Sequence, residues 1–110
     1  MELSIIIVNW NTRSLLRACL HSVIANLSDT VNHEIIVVDN ASSDGSAEMV
    51  SEEFPAIRLI QNRDNVGFAR ANNQAVAGAS GKYILLLNSD TKMIGDGARE
   101  LLKYIEVYLN

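Results

Sequence analysis

The sequence predicts an open, mainly parallel α/β sheet with helices on both faces. Four short apolar runs, mostly rich in Ile and Val and mostly without polar alternation, indicate strands that are covered on both faces. They lie at residues 3–8, 35–38, 57–60 and 83–87. Segments with helical signals follow each run. Because strands that alternate with helices pair in parallel through right-handed crossovers, this order predicts the sheet.

The first two helices are predicted from apolar spacing and from capping residues. Apolar side chains recur at helical spacing in SLLRACLHSVIANL, residues 14–27, and Thr12 or Ser14 can cap its start. The segment SSDGSAEMVSEEF opens with capping residues, which predicts a helix beginning near residues 43–44. That helix should end near Phe54, because Pro55 follows.

The third and fourth helices are predicted in the second half of the chain. In VGFARANNQAVAGASG one face carries Phe68 and three alanines at positions 71, 75 and 79, and the helix should stop at Gly78 or Gly81. Residues 97–109 carry an apolar stripe against charged residues, which predicts a fourth, amphipathic helix.

Length and composition indicate one globular domain over residues 1–110. Of 110 residues, 48% are hydrophobic and 20% charged, with a net charge of -4 and no basic stripe, which argues against nucleic acid as a partner. The single Cys19 favours a reducing compartment. No apolar run reaches the roughly 20 residues of a transmembrane helix. The chain is therefore expected to lie in the cytoplasm, with peripheral attachment to a membrane left open.

Polar side chains follow all four predicted strands. They are Asn9, Trp10 and Asn11 after the first strand, Asp39 and Asn40 after the second, Gln61, Asn62 and Asn65 after the third, and Asn88, Ser89 and Asp90 after the fourth. Open sheets of this kind bind ligands outside the carboxyl ends of their strands. Any one of these residues alone is explained by a turn or a helix cap.

The absence of two glycine-rich motifs restricts the class of ligand. Neither GxGxxG after the first strand nor GxxxxGK[ST] occurs, so the sequence supports neither a dinucleotide site nor a P-loop. The alternative is a divalent cation held by one or two carboxylates and completed by the ligand's own phosphate oxygens. Asp90, at the end of a strand, is placed for such a cation.

Four segments carry a resemblance to a known family. In order, SIIIVNWN, IIVVDNASSDGS, NRDNVGFARANNQA and YILLLNSDT resemble the nucleotide-binding half of family 2 glycosyltransferases with the GT-A fold. The similarity is closest to the branch containing bacterial rhamnosyltransferases, in which the fourth strand typically ends in LLLNPDT. It covers nearly the whole chain and implies a Rossmann-like sheet.

The resemblance also implies how the donor diphosphate is bound. Residues 88–90 occupy the position of the family's DxD motif, so Asp90 is implied to help hold Mn²⁺ or Mg²⁺ against the diphosphate. Asn88 replaces the first acidic residue; its amide can ligate or hydrogen-bond a ribose but adds no charge. Asn65 to Gly67 resemble the family's NxG turn, and the amino end of the helix that follows favours an anion.

For the base, the resemblance assigns a carboxylate. Asp39 matches the family aspartate that contacts the base, and an acidic acceptor suits the imino N–H of uracil or thymine. The loop from Asn9 to Asn11 is implied to lie beside the base, with Trp10 as its wall.

The implied activity is an inverting transfer from a UDP- or dTDP-linked sugar, such as rhamnose, to a polysaccharide or lipid-linked glycan. In relatives the catalytic base lies beyond the fourth helix. The chain is therefore expected to be truncated relative to a full catalytic domain, to bind nucleotide weakly and not to turn over. The alternative is a non-catalytic interaction module or inert fragment, with a homodimer covering the open sheet edge. A phosphoacceptor domain would need paired carboxylates after the first strand, where Asn9 and Asn11 stand.

Overall fold

The computed structural model describes residues 2–27 and 32–90. In these residues strands and helices alternate from β1 to β4. The elements are β1 (Leu3–Asn9), α1 (Arg13–Leu27), β2 (His33–Asn40), α2 (Ser46–Glu53), β3 (Arg58–Asn62), α3 (Phe68–Ala77) and β4 (Tyr83–Asn88). The predicted fourth helix, at residues 97–109, lies outside the described residues.

The strands form one parallel sheet in the order β3-β2-β1-β4. In its register Ile5 of β1 lies between Ile35 of β2 and Leu85 of β4. The predicted open parallel sheet is confirmed. Every strand runs one or two residues further than its apolar run, so residues expected just after the strands, such as Asn9 and Asn88, are their last residues. We call the side where these residues lie the carboxyl edge.

Two apolar clusters cover opposite faces of the sheet, because successive side chains of a strand point to opposite sides. Residues of β1 and β2 such as Ile5, Ile7 and Val37 pack with buried residues of α1 and α2, and Ile6, Ile36 and Val38 pack with Ala71 and Ala75 of α3. Helices thus lie on both faces, as predicted. Cys19 is buried in the first cluster.

Some expectations for the helices were wrong in detail. Phe68 was expected beside Ala71 and Ala75, but it is 59% exposed. The reason is its position: the carbonyl of the preceding Gly67 is hydrogen-bonded to Asn40, the last residue of β2, so Phe68 begins the helix where the strand has ended. The second helix begins at Ser46, two or three residues later than expected, and ends before Phe54 as predicted.

At the edge of the sheet opposite the carboxyl edge, close packing joins β1 to the segment before β4. The buried hydroxyl of Ser4 donates to Glu34 Oε2 at 2.6 Å and accepts from the amide of Gly81 at 2.7 Å. The amide of Ser80 also donates to Glu34. Burial raises the pKa of Glu34, but these hydrogen bonds and the charge of Arg58 outweigh it, so the pKa lies below its ordinary value. This cluster sets the position of β4 beside β1.

Candidate functional site

Asp39 is the most enclosed acidic group at the carboxyl edge. It is 3% exposed, and its carboxylate accepts hydrogen bonds from Asn9 Nδ2 at 3.1 Å, Ser42 Oγ at 2.7 Å and the Ser42 amide at 3.0 Å. A buried charge of this kind is stabilised by donors that face it. Since a carboxylate offers about four lone-pair positions, these three bonds from described residues leave one acceptor position, on Oδ2.

Ser42 joins the loop after β2 to the loop after β1. Besides donating to Asp39, its hydroxyl accepts from the Asn11 amide at 2.9 Å. In return Asn11 Oδ1 accepts from the Ser43 amide at 2.8 Å. Asn11 and Ala41 both have positive φ, 52° and 65°, a conformation that costs a side-chain-bearing residue energy. Each of the two loops beside Asp39 thus contains one residue with a left-handed backbone conformation.

The loop after β1 is also joined to the end of β4. Asn9 is fully buried, and its Oδ1 accepts from Thr12 Oγ1 at 2.5 Å. Thr12 Oγ1 lies 2.9 Å from Ser89 Oγ, a residue 77 positions further along the chain. Both polar atoms of Asn9 are therefore engaged within the protein, so its direct role is to connect Asp39 with Thr12.

Asp44 stabilises the start of α1 from a different loop. Its Oδ2 accepts from the amide of Arg13, the first residue of α1, and its Oδ1 accepts from the amide of Ser46 at 3.0 Å. Partial burial raises the pKa of Asp44, but these bonds and one from the Ser46 hydroxyl outweigh it and leave the pKa below its ordinary 3.8. The carboxylate acts as a cap shared by two helices.

Removing this shared cap should destabilise the domain. Asp44→Ala is expected to lower the free energy of unfolding by about 1–2 kcal/mol at neutral pH, the usual range for a lost cap. Because the folded state lowers the pKa, the contribution is present above pH 3.8 and is lost as the pH falls through the folded value. Urea denaturation at neutral and acidic pH measures it. Exposed Glu52→Ala is the control, and an Asp44→Ala difference that does not shrink in acid would contradict the assignment.

A second polar network holds the turn before α3. Buried Asn40 donates to the Gly67 carbonyl at 3.2 Å and accepts from the Val66 amide and Asn62 Nδ2. Asn65 Oδ1 accepts from the Gly67 amide, and Gly67 has φ 88°. Asn40 directly follows Asp39 in the sequence, so this network holds the NxG-like turn close to Asp39. Among the residues that the structure describes, no hydrogen bond joins Asn65 or Gly67 to Asp39.

The end of β4 presents the predicted metal residue to solvent. Asn88 and Asp90 are exposed and Ser89 is half-buried. Burial, and then the negative charge of Asp90, raise the pKa of Cys19 to about 11, so the carboxylate lies within electrostatic reach of α1. Trp10, after β1, is 56% exposed. These residues are therefore accessible, and their ligand roles remain predictions.

The metal chemistry fits a cation that arrives with its ligand. Residues 2–27 and 32–90 contain no group of three or more His, Cys, Asp or Glu that could hold a metal ion. Asp90 would supply one carboxylate and Asn88 an amide oxygen, and Mg²⁺ sites often combine one or two carboxylates with substrate phosphates and water. Within residues 2–27 and 32–90, this donor set fits a cation site that is shared with a ligand's phosphates.

Sequence reasoning missed the residues that connect the loops. Ser42, Thr12 and Asp44 were treated as turn or cap residues, yet each also bonds to a residue distant in sequence: Ser42 to Asn11, Thr12 to Ser89 and Asp44 to Arg13. Only the density of Ser, Asp and Asn in NASSDGS signalled a hydrogen-bonded loop, and it did not identify partners about 30 residues away. The structure brings Asn9, Asn11 and Asp39 together as expected.

The strand order and the polar carboxyl edge define a class of protein. The chain runs from β1 outward to β3 and then returns to place β4 on the other side of β1, so the loops after β1 and β4 flank a topological switch point. Open α/β sheets bind nucleotides and similar ligands there. The class is therefore an open α/β domain whose switch point lies at the polar carboxyl edge. Residues 4–108 match the family described as Glycosyl transferase family 2, and the chain belongs to that family.

Similar proteins agree with the family. The poly(ribitol-phosphate) beta-glucosyltransferase of Bacillus spizizenii is 31% identical over 108 residues, which are 94% of this chain and 17% of that protein. Staphylococcus aureus TarS 1–349 superposes with a TM-score of 0.83 at 21% identity, over 99% of this chain and 33% of that one. Mannosyltransferase PcManGT from Pyrobaculum calidifontis, solved with GDP-Man and Mn²⁺, gives 0.78 at 25% identity, over 86% and 29%.

These comparisons confirm the family and the GT-A, Rossmann-like fold. The chain spans 17% of the curated relative and 29% and 33% of the two solved chains, so it corresponds to a part of each. The finer similarity to rhamnosyltransferases remains a prediction. No helix among the described residues is both long and apolar enough to cross a membrane.

Proposed function

We propose that this chain is the donor-binding part of a glycosyltransferase and binds a nucleotide-diphosphate sugar at the carboxyl edge. The observation that carries the proposal is the Asp39 carboxylate, which three donors hold in place with one acceptor position left. Its position at the end of β2, in a member of glycosyl transferase family 2, supports a contact with the base. Residues 1–110 are proposed to form this single domain.

The base is proposed to be uracil or thymine. An acceptor that cannot donate suits the imino N–H that both bases carry. Exposed Trp10 supplies a wall for the base next to exposed Asn11, while fully buried Asn9 supports the base contact through its bond to Asp39. TarS 1–349 has been solved in complex with UDP-GlcNAc, which supports a uridine nucleotide. A deoxyhexose such as rhamnose is the proposed sugar.

The diphosphate is proposed to lie between α3 and the end of β4. The turn at Asn65 and Gly67 leads into α3, whose amino end favours an anion. Asn88 and Asp90 would hold a divalent cation, Mn²⁺ or Mg²⁺, which supplies charge neutralisation to the leaving diphosphate. PcManGT, solved with GDP-Man and Mn²⁺, supports the cation and makes guanine the base to test against.

Within the reaction these residues bind and orient the donor. Fixing the base and the diphosphate presents the anomeric carbon to an acceptor hydroxyl of a polysaccharide or lipid-linked glycan. We place the general base that deprotonates this hydroxyl outside the nucleotide-binding part, as in the family. The poly(ribitol-phosphate) beta-glucosyltransferase supports a polysaccharide acceptor.

Calorimetric titration with UDP, dTDP and GDP, each with and without Mn²⁺, tests this function. We expect binding that needs Mn²⁺ and prefers the pyrimidine nucleotides. Asp90→Asn, which is nearly isosteric at an exposed position, should abolish the effect of Mn²⁺ and leave the melting temperature unchanged. Exposed Glu52→Gln is the charge-matched control. Absence of binding to all three nucleotides would favour the non-catalytic module instead.

A further inference from the structure

The hydroxyl of Thr12 joins the last residue of β1 to the residue after β4 instead of capping its own helix. The Thr12 carbonyl accepts the helical bond from the Leu16 amide, so Thr12 stands where a threonine side chain normally accepts from a first-turn amide. Here Asp44 accepts from the first helical amide, that of Arg13. Among the described residues, Thr12 Oγ1 bonds to Asn9 and Ser89. A residue that departs from its local preference in this way points to a role at a site.

Each hydrogen bond that links Asp39, Asn9, Thr12 and Ser89 in series has only one possible donor. Asp39 can only accept, so Asn9 must turn its Nδ2 toward Asp39 and its Oδ1 toward Thr12. Thr12 has one hydroxyl proton, which therefore goes to Asn9 Oδ1. Because that proton is used, the bond between the two hydroxyls must be donated by Ser89. We call Asp39, Asn9, Thr12 and Ser89 the edge chain.

The edge chain runs across three strands at the topological switch point. It begins at the end of β2, passes the end of β1 and reaches the residue after β4. Its first member is the proposed base contact, and its last member adjoins Asp90, the proposed cation ligand. Bonds of 3.1, 2.5 and 2.9 Å join the two ends without a gap. A charged acceptor at one end polarises and strengthens such a chain.

We propose that Thr12 is a positioning residue: by holding Asn9 and Ser89 together, it sets the end of β4 in register with Asp39 for a donor that must contact both. The inference rests on the proposed function, since the two ends matter only if one ligand binds both. Thr12 touches neither the base nor the diphosphate. It orders the groups that do, and such preorganisation raises affinity by removing a cost of binding.

Thr12→Val tests this inference, because valine keeps the shape and removes both hydrogen bonds. Dissociation constants are measured for UDP with Mn²⁺ and for uridine, which keeps the base and ribose and lacks the diphosphate. We expect about tenfold weaker binding of UDP with Mn²⁺ and less than about a twofold change for uridine. Thr12→Ser retains the hydroxyl and should restore UDP binding. Ser14→Ala removes an exposed hydroxyl two residues away and should change neither constant.

A double-mutant cycle separates the edge chain from two independent contacts. If Thr12 and Ser89 act as one unit, Thr12→Val combined with Ser89→Ala should bind UDP no more weakly than the weaker single variant. Losses that multiply, an unchanged UDP constant in Thr12→Val, or equal losses for UDP and uridine would each overturn the inference. If the unaltered chain binds dTDP and not UDP, the same variants are measured with dTDP and thymidine; absence of binding to UDP, dTDP and GDP would overturn the proposed function itself, and this inference with it.

Discussion

Asp39→Asn is expected to weaken UDP binding by about 10- to 100-fold, the range for losing a hydrogen bond to a charged group in a desolvated site. The amide that replaces the carboxylate cannot satisfy all three donors. If its oxygen faces Asn9 and the Ser42 hydroxyl, its Nδ2 faces the Ser42 amide, and the opposite orientation sets Nδ2 against Asn9. The variant therefore loses both its charge and the arrangement that directs the remaining acceptor position.

The comparison of UDP with CDP separates loss of base recognition from loss of fold. Cytosine carries no imino N–H, so the unaltered chain should prefer UDP, and Asp39→Asn should reduce that preference. A preference that persists in the variant would show that Asp39 does not contact the base. The melting temperature of each variant is measured first, and Glu52→Gln, with the same change of charge at an exposed site of α2, is the control.

Gly81→Ala is expected to destabilise the fold by about 3 kcal/mol or more, through overpacking against atoms that cannot move. A Cβ at position 81 would lie 2.5 Å from Ser4 Oγ and 2.7 Å from the Leu3 carbonyl carbon, and closer still to the Ser4 amide nitrogen. It would also break the bond from the Gly81 amide to Ser4 Oγ. Chemical denaturation followed by circular dichroism measures the change in the free energy of unfolding.

Gly78→Ala is the matched control for this effect. The nearest atoms to its added Cβ belong to the guanidinium of exposed Arg58, at 2.8 Å, and the end of this flexible side chain can move away at the cost of its hydrogen bond to the Gly78 carbonyl. We therefore expect Gly78→Ala to cost much less than Gly81→Ala. Equal losses in the two variants would mean that the close approach of Gly81 to Ser4 is not what fixes β4 beside β1.

The fold was predictable because its signals are local. Unbroken runs of Ile and Val identify buried parallel strands, and Pro55 and Gly78 mark the helix ends that the structure has. The exposure of Phe68 was not predictable from helical spacing, because spacing gives the face of a helix and not where the neighbouring strand ends.

The candidate site was predictable as a location and not as a set of contacts. Because ligands of open α/β sheets bind beyond the carboxyl ends of the strands, Asn9, Asn11 and Asp39 could be predicted to lie at one edge. It could not pair Thr12 with Ser89, because their contact depends on which strands become neighbours. A turn preference likewise could not indicate that Asp44 caps a helix 31 residues earlier in the chain.

The strand order has a consequence for how the domain folds. β1 and β2 pair across a short loop-helix connection, whereas the other neighbour of β1 begins at Tyr83, which pairs with Leu3 across 80 residues. Contacts of such long sequence separation form late, because closing the long loop between them costs conformational entropy before the contacts can stabilise the fold. During synthesis one side of β1 therefore has no strand to pair with until β4 emerges. The carboxyl edge is completed only by that last pairing. Both the sheet and its candidate site therefore form only after β4 has been synthesised.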